Sequence, residues 1–180
     1  MTISAASNNK QQLRAEIRRQ LRASSLDSGA VREAVRCWLA ARPELRTVAL
    51  FAALAREVDL LPLMAGDPHR RWVFPRVCGQ DLVWHEVRDV EDDLVSGTLG
   101  ISEPTATLPV VQVCAVDVFL CPGLAFDDKG GRLGRGGGFY DRTLAGARPD
   151  ALKVGVCHPV QRVAETFPEP HDISMDAVIS

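Results

Sequence analysis

The sequence predicts an α/β fold, a single three-layer domain over residues 1–180 with a mainly parallel central sheet flanked by helices. Three observations predict it. Apolar side chains recur at helical spacing near the amino terminus. Later come continuous apolar runs ended by Pro or Gly, the pattern of strands buried on both faces. The two kinds of segment alternate, as they do when helices cover a parallel sheet.

The elements follow in order. Residues 1–7 are small and polar and are expected to fray. From Asn8 or Asn9, either able to act as N-cap, the run KQQLRAEIRRQLRA sets Leu13, Ile17 and Leu21 on one helix face and Arg14, Arg18, Arg19 and Arg22 on the other. Ser28-Gly29 leads into a second helix over 29–41, with Val31, Val35, Trp38 and Leu39 inward and Pro43 closing it. TVALFAAL (47–54) reads as a buried strand, and Glu57 as the entrance of a short helix over 57–65. RWVFPRV (71–77) and DLVWHEV (81–87) are strand-like and joined through Cys78-Gly79-Gln80. After the acidic segment 88–93, the Gly and Pro residues of GTLGISEPTATLPVV mark a loop. VDVFLCPG (116–123) reads as a central strand, LKVGVCH (152–158) as another stopped by Pro159, and Met175–Ile179 as a short last one.

Charge and cysteine usage narrow the function. A net charge of −2 and a pI near 6.1 argue against a nucleic-acid partner. The five cysteines are odd in number, scattered and without a CxxC pair, so neither a disulfide framework nor a zinc site is expected. No apolar run approaches the roughly 18 residues of a membrane span, and MTISAASNNK lacks the core of an export signal. A cytoplasmic location without a membrane partner is the expectation. Only three of the 21 basic residues are lysines: Lys10, Lys129 and Lys153. The four histidines show no ligand spacing and are read as structural or surface residues, and the three tryptophans as core.

Half of the 14 glycines fall between Gly123 and Gly138, densest in GGRLGRGGG (130–138). This stretch follows a buried strand and precedes Phe139–Ala145, which can start a helix. Ligands bind beyond the carboxyl ends of strands in open α/β sheets. Successive glycines let backbone N–H groups converge on an anion, and Arg132 and Arg135 add fixed positive charge, so the stretch reads as a phosphate cradle. It matches neither a P-loop nor a clean GxGxxG fingerprint. Asp141 follows directly. It is either a Mg²⁺ ligand beside the phosphates or a residue that simply caps the helix or pairs with Arg142, and spacing alone leaves both open. Asp127 and Asp128 are read as an ordinary turn with Lys129-Gly130.

PGLAFD (122–127) followed by GRLGRGGGFYDR (131–142) closely resembles the signature of 5-formyltetrahydrofolate cyclo-ligases. Lys10-x-x-Leu13-Arg14, Glu57, Phe74-Pro75-Arg76, Gly100-x-x-Glu103-Pro104 and His171-Asp172 extend the resemblance in order along nearly the whole chain. It implies an enzyme, a monomer with small-molecule substrates, that uses ATP and Mg²⁺ to convert 5-formyltetrahydrofolate into 5,10-methenyltetrahydrofolate. Lys10, Arg14 and the loop Arg132, Leu133, Gly134, Arg135, Gly136, Gly137, Gly138, Phe139 and Tyr140 would bind ATP. Glu57 would hold the pterin, with Ala52 on the pocket wall and Arg135, Gly136, Gly137, Gly138 and Phe139 bordering the folate. Asp141 and Asp172 would hold the metal, and Arg135 and Lys10 would be catalytic. Two departures stand out: Phe139 replaces the tyrosine usual in the family, and the sequence given ends at Ser180, where relatives usually run further. A binding protein that has lost turnover, and an RNA-binding module, are the competing classes. The complete set Lys10, Arg14, Glu57, Arg135, Asp141 and Asp172 argues against the first, and the pI and missing aromatic RNA motif against the second.

Overall fold

The structure, a computed structural model, describes residues 5–97 and 100–180. Part of the expected frayed start, residues 1–4, lies outside the described residues, whereas Ala5 is already helical. Helix α1 (Ala5–Ala23) thus begins upstream of Asn8 and Asn9, and neither caps it. Helix α2 (Gly29–Ala40) buries Val31, Val35 and Leu39, while Trp38 stays at the rim under the Arg42 guanidinium, 4.1 Å from its ring.

Eleven strands form among the described residues: β1 (Thr47–Ala49), β2 (Arg71–Cys78), β3 (Asp81–Glu86), β4 (Leu94–Ser96), β5 (Ser102–Pro104), β6 (Val110–Val111), β7 (Val118–Cys121), β8 (Ala125–Phe126), β9 (Arg132–Leu133), β10 (Leu152–Val156) and β11 (Ala177–Ile179). Seven make the central sheet, in the order β11-β10-β7-β1-β2-β3-β6. The first five of these run parallel, and the β2–β3 hairpin and β6 add an antiparallel edge. From β1 the chain builds outward to β2 on one side and later returns to β7 on the other. β1 and β7 therefore flank the point where strand order reverses, where α/β sheets open a ligand crevice.

Period-2 alternation divides the two faces. Val48, Leu50, Val118 and Leu120 face α2 in one core cluster. Ala49, Phe119 and Cys121 face the other, with Trp84 and with Leu144 of α5 (Phe139–Ala145). α1 covers neither face. Its Ile17 and Leu21 pack on Leu124, Ala125 and Leu133 of the β8–β9 hairpin, just beyond the carboxyl end of β7. No helix among the described residues is long and apolar enough to cross a membrane.

Three expectations need correction. The run 47–54 is laddered only to Ala49, because the chain leaves the sheet there to form the loop beside the crevice. The helix expected over 57–65 shrinks to α3 (Leu63–Gly66), behind Pro62. Glu57 spends its carboxylate closing a turn, accepting from the Leu54 N–H at 2.9 Å next to Arg56 at φ +73°, and starts no helix. The stretch 97–111, whose residues 98 and 99 lie outside those described, is not all loop: its β5 pairs with β4, which directly precedes the stretch and follows α4 (Val90–Asp93), and its β6 joins the central sheet. Arg76 donates to the Pro104 carbonyl at 2.7 Å and stands 3.8 Å from the buried Glu103 carboxylate, joining two separated pieces of the sequence signature.

Candidate active site

Two loops leave the carboxyl ends of the switch-point strands and carry Ala52, Glu57 and the glycine-rich stretch, whereas Lys10 and Arg14 come from α1 and Asp172 from the segment before β11. The loop after β7 runs through the β8–β9 hairpin to the glycine-rich tip. Its base is built on Asp127, which is 3 % exposed. One carboxylate oxygen accepts from the N–H groups of Lys129 (2.9 Å) and Gly131 (2.8 Å). The other accepts from the N–H (2.9 Å) and hydroxyl (2.7 Å) of Thr166. Burial would raise the Asp127 pKa, but these four donors outweigh it and hold it below the usual range. The expected turn is present, and this carboxylate additionally ties it to the distant segment around Thr166.

From that base the tip projects outward: Arg135, Gly136 and Gly137 are exposed. Gly136 and Gly138 have φ of +110° and +67°, a region that favours glycine. Gly138 caps α5 without any side-chain hydrogen bond, so the first turn keeps its N–H groups available. Arg14 of α1 donates to the Gly134 carbonyl at 3.0 Å, anchoring the helix to the loop. The Leu133 side chain is buried among Ile17, Leu21 and Leu124, and its carbonyl accepts from the Leu124 N–H at 2.7 Å. Tyr140 points its ring toward the core, edge-on to Trp84 at 6.3 Å, with its hydroxyl buried and unpartnered. Burial raises that phenol's pKa well above the ordinary value. Phe139 lies beneath the Arg142 guanidinium, 5.2 Å away.

Charged groups meet in three places. Lys10, 6 % exposed, donates to Asp172 at 2.5 Å and Glu169 at 2.9 Å. Burial alone would lower the Lys10 pKa, yet the two carboxylates raise it. Burial would likewise raise Asp172, but the bonds from Lys10 and from the Glu169 N–H keep it low. Arg132 donates to Asp141 at 2.9 Å, and the same oxygen accepts from the Ile173 N–H at 3.3 Å. Asp141 therefore does not pair with Arg142, which bonds the Gln80 carbonyl instead. Arg135 reaches across the crevice to Glu57, at 2.7 and 3.1 Å. Ala52 is buried in the segment leading to the Glu57 turn.

Asp141 and Asp172 come close, since Asp141 binds the backbone N–H directly after Asp172. Their hard oxygen donors suit Mg²⁺. Among the described residues, no group of three or more His, Cys, Asp or Glu side chains could hold a metal. The five cysteines are free, and burial pushes the Cys121 and Cys157 thiols up to about 12, removing them as nucleophiles. Sequence reasoning missed Glu169 and the tie between Asp127 and Thr166. Nothing in a lone Pro-Glu-Pro or a Thr marks either as a partner of a residue roughly 40 or 160 positions away in sequence.

Comparison with known proteins bears on the arrangement. Residues 2–180 match the 5-formyltetrahydrofolate cyclo-ligase family. A 5-formyltetrahydrofolate cyclo-ligase of Mycolicibacterium smegmatis is 42% identical over 88 residues, 48% of this chain and 45% of that protein, less than half its length. One of Escherichia coli K12 is 34% identical over 141 residues, 74% of this chain and 77% of that protein. The NMR structure of Aquifex aeolicus 5,10-methenyltetrahydrofolate synthetase superposes with a TM-score of 0.81 at 31% identity, covering 94% of this chain and 88% of that one.

Proposed function

Since the chain belongs to the 5-formyltetrahydrofolate cyclo-ligase family of enzymes, we propose that it converts 5-formyltetrahydrofolate into 5,10-methenyltetrahydrofolate at the expense of ATP. The observation that carries this reading is the ion pair between Arg135 and Glu57. It sets the tip of an anion-binding loop against the carboxylate suited to the pterin's N–H donors, so both substrates would meet at one crevice.

The chemical difficulty is that a formyl oxygen is a poor leaving group. Transfer of the γ-phosphoryl group to that oxygen releases ADP and leaves an imidate-like phosphate. The N10 lone pair then forms the new N–C bond, the C–O bond breaks with departure of phosphate, and the N10 proton is lost. The product is the methenyl cation. Alignment and charge stabilisation are what such a transfer asks of a protein. Lys10, Arg14, Arg132 and Arg135 supply the cations, and Gly134, Gly136, Gly137 and Gly138 the open backbone. Glu57 orients the pterin, with Ala52 on the wall and Phe139 at the border. Asp141 and Asp172 would hold Mg²⁺, which neutralises phosphate charge when bound. With Phe in place of Tyr at 139, any hydroxyl contact there is absent. The reading further takes the working unit as a cytoplasmic monomer.

The test is absorbance at the methenyltetrahydrofolate band with protein, 5-formyltetrahydrofolate, ATP and Mg²⁺, each omitted in turn. A rise requiring all components is expected. No rise with the complete mixture, while ATP still binds, would return the chain to a binding role.

A further inference from the structure

Lys10, read as a phosphate ligand, holds Asp172, read as a metal ligand, and Arg132 holds Asp141 in the same way. Each carboxylate of the metal pair is therefore already neutralised by a cation meant for the nucleotide. The Lys10 ammonium has a second partner, Glu169, whose side chain is 27 % exposed and which no reading of the site has used. We propose that Lys10 is the resident counter-ion of Asp172 and that Glu169 is a positioning residue that tethers it. Metal and nucleotide then enter by exchange: Asp172 trades the ammonium for Mg²⁺, while Lys10, kept on Glu169, turns to the phosphates. This rests on the assignment of Asp141 and Asp172 to the metal and of Lys10 to ATP.

The physical consequence is coupling. A metal arriving alone must expel a cation held by two carboxylates in a nearly closed site, and breaking such a pair is unfavourable. A nucleotide arriving alone finds its cations engaged, and drawing them away would leave the two carboxylates uncompensated beside the phosphates. Each therefore binds weakly alone and strongly with the other, and the enhancement is the same in both directions.

Mn²⁺, followed by electron paramagnetic resonance of the free ion, serves as the metal, with and without a non-hydrolysable ATP analogue. Lys10→Met removes the competing charge and is expected to bind Mn²⁺ alone about 10-fold more tightly than the wild type, while losing most of the enhancement by nucleotide. Equal binding of Mn²⁺ alone by the two proteins would overturn the proposal. Lys10→Met/Glu169→Gln is expected to match Lys10→Met. Weaker binding by the double variant would make Glu169 a metal ligand and overturn its role as tether.

A second measurement needs no variant. With only three lysines in the chain, acetylation of Lys10 is easily followed by mass spectrometry. Its reactivity should rise with saturating Mn²⁺ and fall when the analogue joins, and no change with metal would refute the exchange. Asp141→Asn separates the two levels. If Mn²⁺ binding with nucleotide is indifferent to it, the metal assignment fails; if Asp141 is required yet Lys10→Met gains nothing, the exchange alone fails.

Discussion

Replacing Asp127 with Ala should destabilise the protein by roughly 4 kcal/mol, most of it from donors stranded in a closed site. Asp127 and Thr166 are 3 % and 1 % exposed, so little water can replace the lost acceptor. Of the four donors, the Lys129 N–H belongs to an exposed residue and the Thr166 hydroxyl can rotate. The N–H groups of Gly131 and Thr166 can do neither, and each buried orphan costs about 1–3 kcal/mol. Roughly 4 kcal/mol corresponds to a Tm lower by on the order of 10 °C in a domain of this size. Asp127→Asn should cost less, about 1–3 kcal/mol, since its carbonyl can keep the Lys129 and Gly131 N–H groups while its amide donates to the Thr166 hydroxyl, leaving the Thr166 N–H stranded. Thr166→Val keeps the N–H bond and should cost less, about 1–2 kcal/mol. Combined with Asp127→Ala it should add almost nothing, because both act on one network. Urea denaturation and calorimetry read all of these. If both Asp127 variants lie within about 1 kcal/mol of the wild type, the loop is not held in the way described.

The remaining predictions concern the site and its pH dependence. Asp141→Asn is expected to keep the fold while lowering Mg²⁺-dependent turnover by roughly 10²-fold or more; unchanged kcat at saturating Mg²⁺ would remove Asp141 from the metal site. Arg135→Ala is expected to lower kcat and kcat/KM together, by orders of magnitude, whereas a rise in KM alone would make it a ground-state contact. Asp117, which accepts from the Arg46 and Thr47 N–H groups and from Arg148, has its pKa lowered, these bonds outweighing burial. Asp127 is lowered likewise. For lowered carboxylates, the stability is fully present above the unfolded value near 3.9 and is lost as pH falls through the folded values. Urea midpoints should therefore drop below about pH 4, and Asp117→Asn should flatten that acid limb.

Much of the fold was legible because local patterns and tertiary demands agree. The buried strands β7 and β10 and the inward stripe of α2 are all found close to where periodicity puts them. The misses share a cause. At Glu57 a helix signal was overridden by a long-range partner, Arg135, and by the turn its carboxylate closes. The β5 partner of β4 hid in a Gly- and Pro-containing stretch because strands of three residues carry too little pattern to read. Periodicity puts Arg14 on the face of α1 opposite Leu13, Ile17 and Leu21 without giving it a partner, and it meets the loop because α1 packs on the hairpin and not on the sheet. The glycine loop and its arginines read as an anion site from the sequence, and the structure gathers them at the carboxyl end of β7. The pairing of Arg135 with Glu57 and of Lys10 with Asp172 was not legible, since these partners stand 78 and 162 positions apart.

The most direct test of the central claim follows the formyl oxygen itself. With 5-formyltetrahydrofolate carrying ¹⁸O in the formyl group, ³¹P NMR of the phosphate released should show one ¹⁸O per molecule, because the oxygen leaves carbon attached to phosphorus. Methenyl product accompanied by phosphate without the label would contradict activation by phosphorylation, and with it the alignment assigned to the crevice between Glu57 and the glycine loop.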